Sequence, residues 1–295
     1  MAITDAVVPV GGLGTRLLPA TRSQPKEMLP VVDKPVVQFV VEELVRAGIA
    51  RVLFVTGRRK RAIEDHFDAD PELDTPPLLD PRTGLQILYT RQAHPAGLGD
   101  ALRYGEGFAQ GNGVVVALGD AIIQTPASAS PGIVRRLIST YDSTGADAVF
   151  GVCEVAPELV SRYGIAIPGD PPATAGPAHG LEPFDVADVI EKPDPAEVGS
   201  RLAVMGRYVL GPRAFAALRE TQPDASGEVQ LADAFRLMLA RGERVVAIGL
   251  GPGERRYDIG SVESYCATFL EYALADPRFG ADLRARAAEL IGGEH

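Results

Sequence analysis

Residues 6–16 read Ala6-Val7-Val8-Pro9-Val10-Gly11-Gly12-Leu13-Gly14-Thr15-Arg16, an apolar run of strand length that passes directly into a glycine-rich loop and a basic residue. A short Val-rich strand without polar alternation requires burial on both faces, which a parallel sheet between helix layers supplies. Glycines just after such a strand let backbone N–H groups come close to phosphate oxygens. Arg16 and, further on, Lys26 offer the positive charge that a triphosphate demands. The spacing is neither G-x-x-x-x-G-K-[ST] nor G-x-G-x-x-G, which excludes an ordinary P-loop and a dinucleotide fold. Taken alone, the glycines also admit a blander reading, a tight turn with surface basic residues.

Outward from this stretch, apolar segments recur at Val52–Val55, Ile87–Tyr89 and Val114–Leu118, with helical spacing between them at Pro35–Ala47 and Leu98–Phe108. The alternation predicts successive β-α units and a Rossmann-like, doubly wound α/β sheet flanked by helices, with ligands at the carboxyl ends of the strands. From about Asp147 the rhythm changes. Strand-like Ala148–Val155, Tyr163–Ile167, Val186–Ile190 and Val204–Leu210 follow with little helix between them, which favours antiparallel or mixed pairing. Helical signals return at Pro212–Glu220 and Glu228–Arg241, then a strand at Arg244–Ile248 and helices at Val262–Leu274 and Phe279–Leu290. The expectation is one domain over 1–295, comprising a nucleotide-binding portion (1–146), a smaller β-rich portion (147–260) and C-terminal helices (261–295). The Pro-, Gly- and Asp-rich stretches Ala69–Gly84 and Pro168–Pro183 read as loops bordering a site.

The 295 residues are 46% hydrophobic and 23% charged, the balance of a soluble globular chain, and the absence of Trp leaves Val, Leu and Ala to build the core. A formal net charge of −10 argues against nucleic acid as a partner. The one basic run, Arg58-Arg59-Lys60-Arg61, precedes Glu64, Asp65 and His66 in a helical pattern and reads as a solvated helix start, with a phosphate or acidic-partner contact as the other reading. Cys153 and Cys266 match no metal-ligand spacing and are expected as reduced thiols. No apolar run approaches the roughly 20 residues of a membrane span, so a cytoplasmic protein is expected.

The run from Val8 to Pro35, VPVGGLGTRLLPATRSQPKEMLPVVDKP, resembles the signature of the sugar-1-phosphate nucleotidylyltransferases and is most similar to their uridylyltransferase branch. The resemblance implies the nucleotide-diphospho-sugar transferase fold. It also assigns Gly12, Gly14, Thr15, Arg16 and Lys26 to the nucleotide phosphates, and Gly11 and Glu27 to the base. Arg91-Gln92 and Ala96-Gly97-Leu98-Gly99-Asp100-Ala101 are similar to the family segment that reads the pyrimidine. A Gln amide both donates and accepts, matching the imide edge of uracil or thymine, so Gln92 and Gly97 are carried over as base contacts. Asp120 and Asp258 look like the two metal-binding aspartates, and hard carboxylate oxygens suit Mg²⁺. After the second of these the chain has Ile259-Gly260-Ser261 where related uridylyltransferases have Cys-Gly-Asn. Glu191-Lys192-Pro193 resembles the family's sugar clamp, with the carboxylate on sugar hydroxyls and Lys192 on the sugar phosphate. Gly164 and Gly206 lie where the family keeps its other sugar-facing backbone. Glu228–Ala234 also matches, with a loop-orienting role. Between Phe67 and Leu88, around residues 68–86, the chain looks shorter than the usual uridylyltransferase, lacking a charged helical insertion.

The function so implied is attack of glucose 1-phosphate on the α-phosphorus of UTP, giving UDP-glucose and pyrophosphate. A phosphomonoester is already ionised, its second pKa lying near about 6, so no Ser-His-Asp set is needed. Arg16, Lys26, Asp120 and Lys192 are the candidate catalytic residues. The resemblance further implies a homo-oligomer, dimer or tetramer. A thymidylyltransferase making dTDP-glucose and a non-catalytic sugar-nucleotide sensor remain as alternatives.

Overall fold

The structure, a computed structural model, describes residues 2–68, 84–126, 131–169 and 182–292. Strand β1 (Asp5–Pro9) leads into a loop with three short 3-10 turns and then a small hairpin, β2 (Pro30–Val31) with β3 (Lys34–Pro35). There follow α1 (Val36–Arg46), β4 (Arg51–Thr56), α2 (Arg61–Phe67), β5 (Gln86–Arg91), α3 (Leu98–Arg103), α4 (Glu106–Ala109), β6 (Val114–Ala117), β7 (Ala121–Gln124) and α5 (Ile133–Thr144). The second half supplies β8 (Ala148–Glu154), β9 (Gly164–Pro168), β10 (Phe184–Glu191), β11 (Leu202–Leu210), α6 (Pro212–Glu220), α7 (Leu231–Ala240), β12 (Val245–Gly249), β13 (Arg255–Asp258), α8 (Val262–Ala275) and α9 (Gly280–Gly292).

Nine strands form one mixed sheet in the order β5-β4-β1-β6-β11-β8-β12-β10-β9. The first four run parallel, β11 is antiparallel to both β6 and β8, and β12 is parallel to β8. Strand β1 shows why its composition required two covered faces. Val7 joins the core beneath α3, α6 and α7, while Ala6 and Val8 join the opposite core beneath α1 and α5, because successive strand residues point to opposite faces. Helix α1 meets the second core with Val37, Val40, Val41 and Leu44, all fully buried at helical spacing. Burying each such side chain stabilises the fold by about 1.5–3 kcal/mol.

The structure departs from the sequence reading in particular places. The helix expected over 98–108 is interrupted at Tyr104–Gly105, where glycine is a weak helix former. The helix expected from Glu228 starts at Leu231, because the backbone before it is committed elsewhere: Val229 N–H donates to Ala96 O and Val229 O accepts from Gly99 N–H, both at 2.8 Å. Strands β7 and β13, absent from the sequence reading, pair as a separate two-stranded ribbon. The two long loops expected at 69–84 and 168–183 fall almost wholly outside the described residues.

Candidate active site

The loop after β1 turns through Gly14, whose φ of +66° is in the left-handed region, into a 3-10 turn over Thr15–Leu17. Thr21 Oγ1 donates to Gly14 O at 2.7 Å and fixes that turn. Since no α-helix follows, no helix dipole adds to the loop's N–H groups, and the charge at this mouth has to come from side chains. A cleft of about 410 Å³ opens here, lined by Gly11, Gly12, Gly14, Thr15, Arg16, Lys26, Glu27, Gln92, Gly97 and Asp120. Every residue carried over for nucleotide binding therefore lines one concavity, at the carboxyl ends of β1 and β6.

Two charged contacts organise its floor. Lys26 Nζ donates to Asp120 Oδ2. Burial by itself would lower the Lys26 pKa, but the adjacent Asp120, with Glu27 and Asp258 behind it, carries the ammonium above its ordinary value. Burial likewise would raise Asp120, and the Lys26 ion pair and hydrogen bond, with Arg256, hold it below the usual carboxylate range. Glu27 is fully buried and receives Lys60 Nζ at 2.7 Å; burial outweighs the two lysines and pushes its carboxyl upward. Lys60 is thus not a solvated residue of a helix start. It is 5% exposed and serves as the buried counter-ion of Glu27, while Arg58, Arg59 and Arg61 stay in solvent.

Gln92 is buried at the strand end, with Nε2 donating to Asp100 Oδ2 at 2.7 Å. That contact, with a longer one from Nε2 to Gly97 O at 3.4 Å, orients the amide with its carbonyl oxygen toward Gly11. Gly97, with φ +94°, brings the chain against Val229, and a Cβ there would lie 2.6 Å from Val229 O. No L side chain fits at that point.

The β7–β13 ribbon sets Asp258 opposite Ala121, next to Asp120. Two aspartates 138 positions apart in sequence numbering, 258 less 120, come to adjacent places on the ribbon in this way. They offer hard oxygen ligands for a divalent cation. The ammonium of Lys26 already stands on one of them as a positive charge. Among the described residues no group of three or more His, Cys, Asp or Glu side chains is placed to hold a metal. A cation on this pair would keep coordination positions for phosphate oxygens and water, so the donor set fits a hard divalent cation.

The residues carried over for the sugar lie beyond Asp258, outside the first cleft. Gly164 pairs with Glu191 across β9 and β10, and Lys192 N–H donates to Tyr163 O at 3.0 Å. Lys192 has φ +46° and its Nζ is 3.0 Å from Glu191 Oε1. Gly206 lies where the register of β11 against β8 shifts, and its carbonyl accepts from Leu118 N–H at 2.9 Å. Next to it, fully buried Arg207 donates to Glu43, Leu118 O, Gly206 O and Ala121 O, gripping the Asp120 turn on both sides. Sequence reasoning missed Arg207, Asp100, Lys60 and Arg256. Only Arg207 carried a visible signal, a lone charge inside an apolar strand.

A nine-stranded mixed sheet with a glycine-loop cleft and an aspartate pair at its strand ends defines a nucleotide-handling transferase, and the chain belongs to the nucleotidyl transferase family, whose model matches residues 5–274. More particularly, it is 40% identical to UTP–glucose-1-phosphate uridylyltransferase 2 of Streptococcus pyogenes over 298 aligned positions, covering 98% of this chain and 96% of the relative. Among solved structures it is similar to UTP-bound UGPase from Acinetobacter baumannii, with 32% identity, a TM-score of 0.84, and 98% of this chain and 99% of that one covered. It is also similar to a UDP-glucose pyrophosphorylase complexed with UDP-glucose, with 34% identity, a TM-score of 0.79, and 92% and 98% coverage. Among the described residues no helix is long and apolar enough to cross a membrane.

Proposed function

We propose that this protein transfers a uridylyl group from UTP to glucose 1-phosphate, giving UDP-glucose and pyrophosphate. The observation that carries the reading is the single cleft in which the glycine loop, Arg16, Lys26, Gln92 and Asp120 converge, with Asp258 beside it. It is supported by relatives and neighbours named for that reaction or holding UTP or UDP-glucose, matched over nearly the full chain.

In this reading the loop N–H groups of Gly11, Gly12, Gly14 and Thr15 cradle the phosphates, and Gln92, Gly97 and Glu27 line the base. Arg16 and Lys26 take up charge on the pyrophosphate side, Lys26 exchanging Asp120 for phosphate oxygens as substrate enters. Asp120 and Asp258 would hold Mg²⁺, and the bound ion would supply positive charge for the reacting phosphates. Glu191 and the backbone at Gly164 and Gly206 hold the sugar, and Lys192 steers its phosphate in line with the α-phosphorus. Because the nucleophile is already ionised, catalysis consists of positioning and charge stabilisation. Residues 1–146 serve the nucleotide and 147–260 the sugar phosphate, with 261–295 as supporting helices. The two free cysteines suit the reducing cytoplasm. Exposed Phe269 and Leu270 on α8, with Leu290 and Ile291 on α9, suit a homo-oligomer.

The test is pyrophosphate release with Mg²⁺, offering UTP and dTTP in parallel against glucose 1-phosphate and galactose 1-phosphate. Preference for UTP with glucose 1-phosphate is expected. Preference for dTTP would move the protein to the thymidylyl branch, and no turnover with any pair would refute the enzymatic reading. Asp120→Asn should lower turnover by orders of magnitude with the fold intact, and Lys192→Ala should chiefly raise KM for the sugar phosphate.

A further inference from the structure

Asp258 is held by side chains that lie outside the nucleotide cleft. Its Oδ1 accepts Gly260 N–H at 2.8 Å, and its Oδ2 accepts both the Tyr163 hydroxyl at 2.8 Å and Arg256 Nη2 at 3.3 Å. The Arg256 guanidinium carbon sits 4.6 Å from the centroid of the Tyr163 ring. The Arg256 side chain is 13% exposed, and its buried Nε–H has no hydrogen-bond partner among the described residues. A guanidinium with an unsatisfied donor is costly to bury. Asp258 and the face of the Tyr163 ring are what offset that cost. Tyr163 acts in two directions. Its hydroxyl reaches Asp258, and its carbonyl accepts Lys192 N–H at 3.0 Å, directly after the Gly164–Glu191 pair of β9 and β10.

We propose that Arg256 and Tyr163 are positioning residues for the transfer: together they fix the Asp258 carboxylate beside the Asp120 turn, and Tyr163 sets the spacing between that carboxylate and the Lys192 clamp. The inference rests on the reading of Asp120 and Asp258 as a metal-binding pair. Both residues act through Asp258 or Lys192. Their hydroxyl and guanidinium occupy Oδ2, and with Gly260 N–H on Oδ1 the carboxylate keeps one Oδ1 lone pair for a cation. Removing the outer partner of a metal-ligating group typically weakens metal binding or activity by about 10–100-fold. Losing the hydroxyl bond unlinks Asp258 from the segment whose carbonyl holds Lys192 N–H, so the spacing between the carboxylate and the clamp is no longer fixed.

The experiment is titration of the full-length protein with Mn²⁺ in the presence of UTP, followed by the loss of the free-ion electron paramagnetic resonance signal, for wild type, Tyr163→Phe, Arg256→Lys, Arg256→Gln and Asp258→Asn. Tyr163→Phe keeps the ring and its packing, so it carries the test if either Arg256 variant folds poorly. Tyr163→Phe and Arg256→Gln are expected to weaken Mn²⁺ binding by about 10–100-fold, toward Asp258→Asn, with Arg256→Lys between them and wild type. Tyr163→Phe should also raise KM for glucose 1-phosphate. Mn²⁺ binding by Tyr163→Phe within twofold of wild type, beside a weakened Asp258→Asn, would overturn the positioning role alone. Unchanged binding by Asp258→Asn would overturn the metal-pair reading, and the positioning role with it.

Discussion

Glu43→Gln is the substitution whose cost the structure specifies most fully. The Arg207 guanidinium is fully buried, and its carboxylate partner on α1 is nearly so, at 8% side-chain exposure. Three N–H···O contacts join them: Nε to Oε1 at 3.2 Å, Nε to Oε2 at 3.1 Å and Nη2 to Oε2 at 2.8 Å. Neutralising Glu43 leaves a buried positive charge with only carbonyl oxygens for company, a change that typically costs about 3–5 kcal/mol. Three carbonyls do remain, those of Leu118, Gly206 and Ala121, and the Gln amide oxygen still accepts. The lower end, about 3 kcal/mol, is therefore expected. At about 2 °C per kcal/mol for a chain of this size, the melting temperature should fall by about 6 °C. Turnover should fall as well, since Arg207 grips Leu118 O and Ala121 O on either side of Asp120. Thermal unfolding gives the first number and pyrophosphate release the second. In the double variant Glu43→Leu, Arg207→Met, much of the loss in stability should be recovered, because no charge remains to be buried. A melting temperature for Glu43→Gln within about 1 °C of wild type would refute the reasoning.

Gly97→Ala should raise KM for UTP at least about tenfold, about 1.4 kcal/mol, because the new Cβ cannot clear Val229 O without moving the cleft wall; an unaltered KM would contradict it. Lys60→Met should destabilise the fold by leaving Glu27 buried without its counter-ion, and adding Glu27→Gln should restore part of the loss, read by urea unfolding. His66 is half-buried and burial lowers its pKa, so the unfolded chain binds more protons than the folded one as pH falls below about 6.5, and stability is lost in that direction. His66→Gln should flatten the dependence of melting temperature on pH between about 7 and 5, and equal slopes in the two proteins would count against this.

Much of the sheet was legible because burial on two faces leaves an unmistakable composition, as in Ala6–Val10 and Val114–Leu118. The glycine loop was legible as a tight turn after a strand, and Gly14 does take a left-handed φ there, whereas its assignment to phosphates came from the resemblance and not from the glycines. Strands β7 and β13 were not legible. Each is four residues long, and each is a strand only because the other lies beside it, so no local periodicity announces them. Their pairing is nevertheless what brings Asp258 to Asp120. The Lys60–Glu27 contact was hidden in the same way. A basic run beside a helix has the same appearance whether its third residue points to water or into the protein, and only the fold chooses. Arg256 gave no signal either, and Tyr163 stood only in the Tyr163-Gly164-Ile165 segment resembling sugar-facing backbone, with nothing to show that its hydroxyl reaches Asp258 through tertiary structure.

The place of β11 in the sheet has a consequence for how the protein is made. A chain synthesised from its N-terminus completes β5, β4, β1 and β6 long before β11 leaves the ribosome, so for some ninety residues, from Ala117 to Leu210, the hydrogen-bonding edge of β6 has no native partner. An unpaired Val-rich edge invites pairing with other chains. A fragment ending at residue 146 should therefore aggregate, whereas one ending at residue 211 closes that edge.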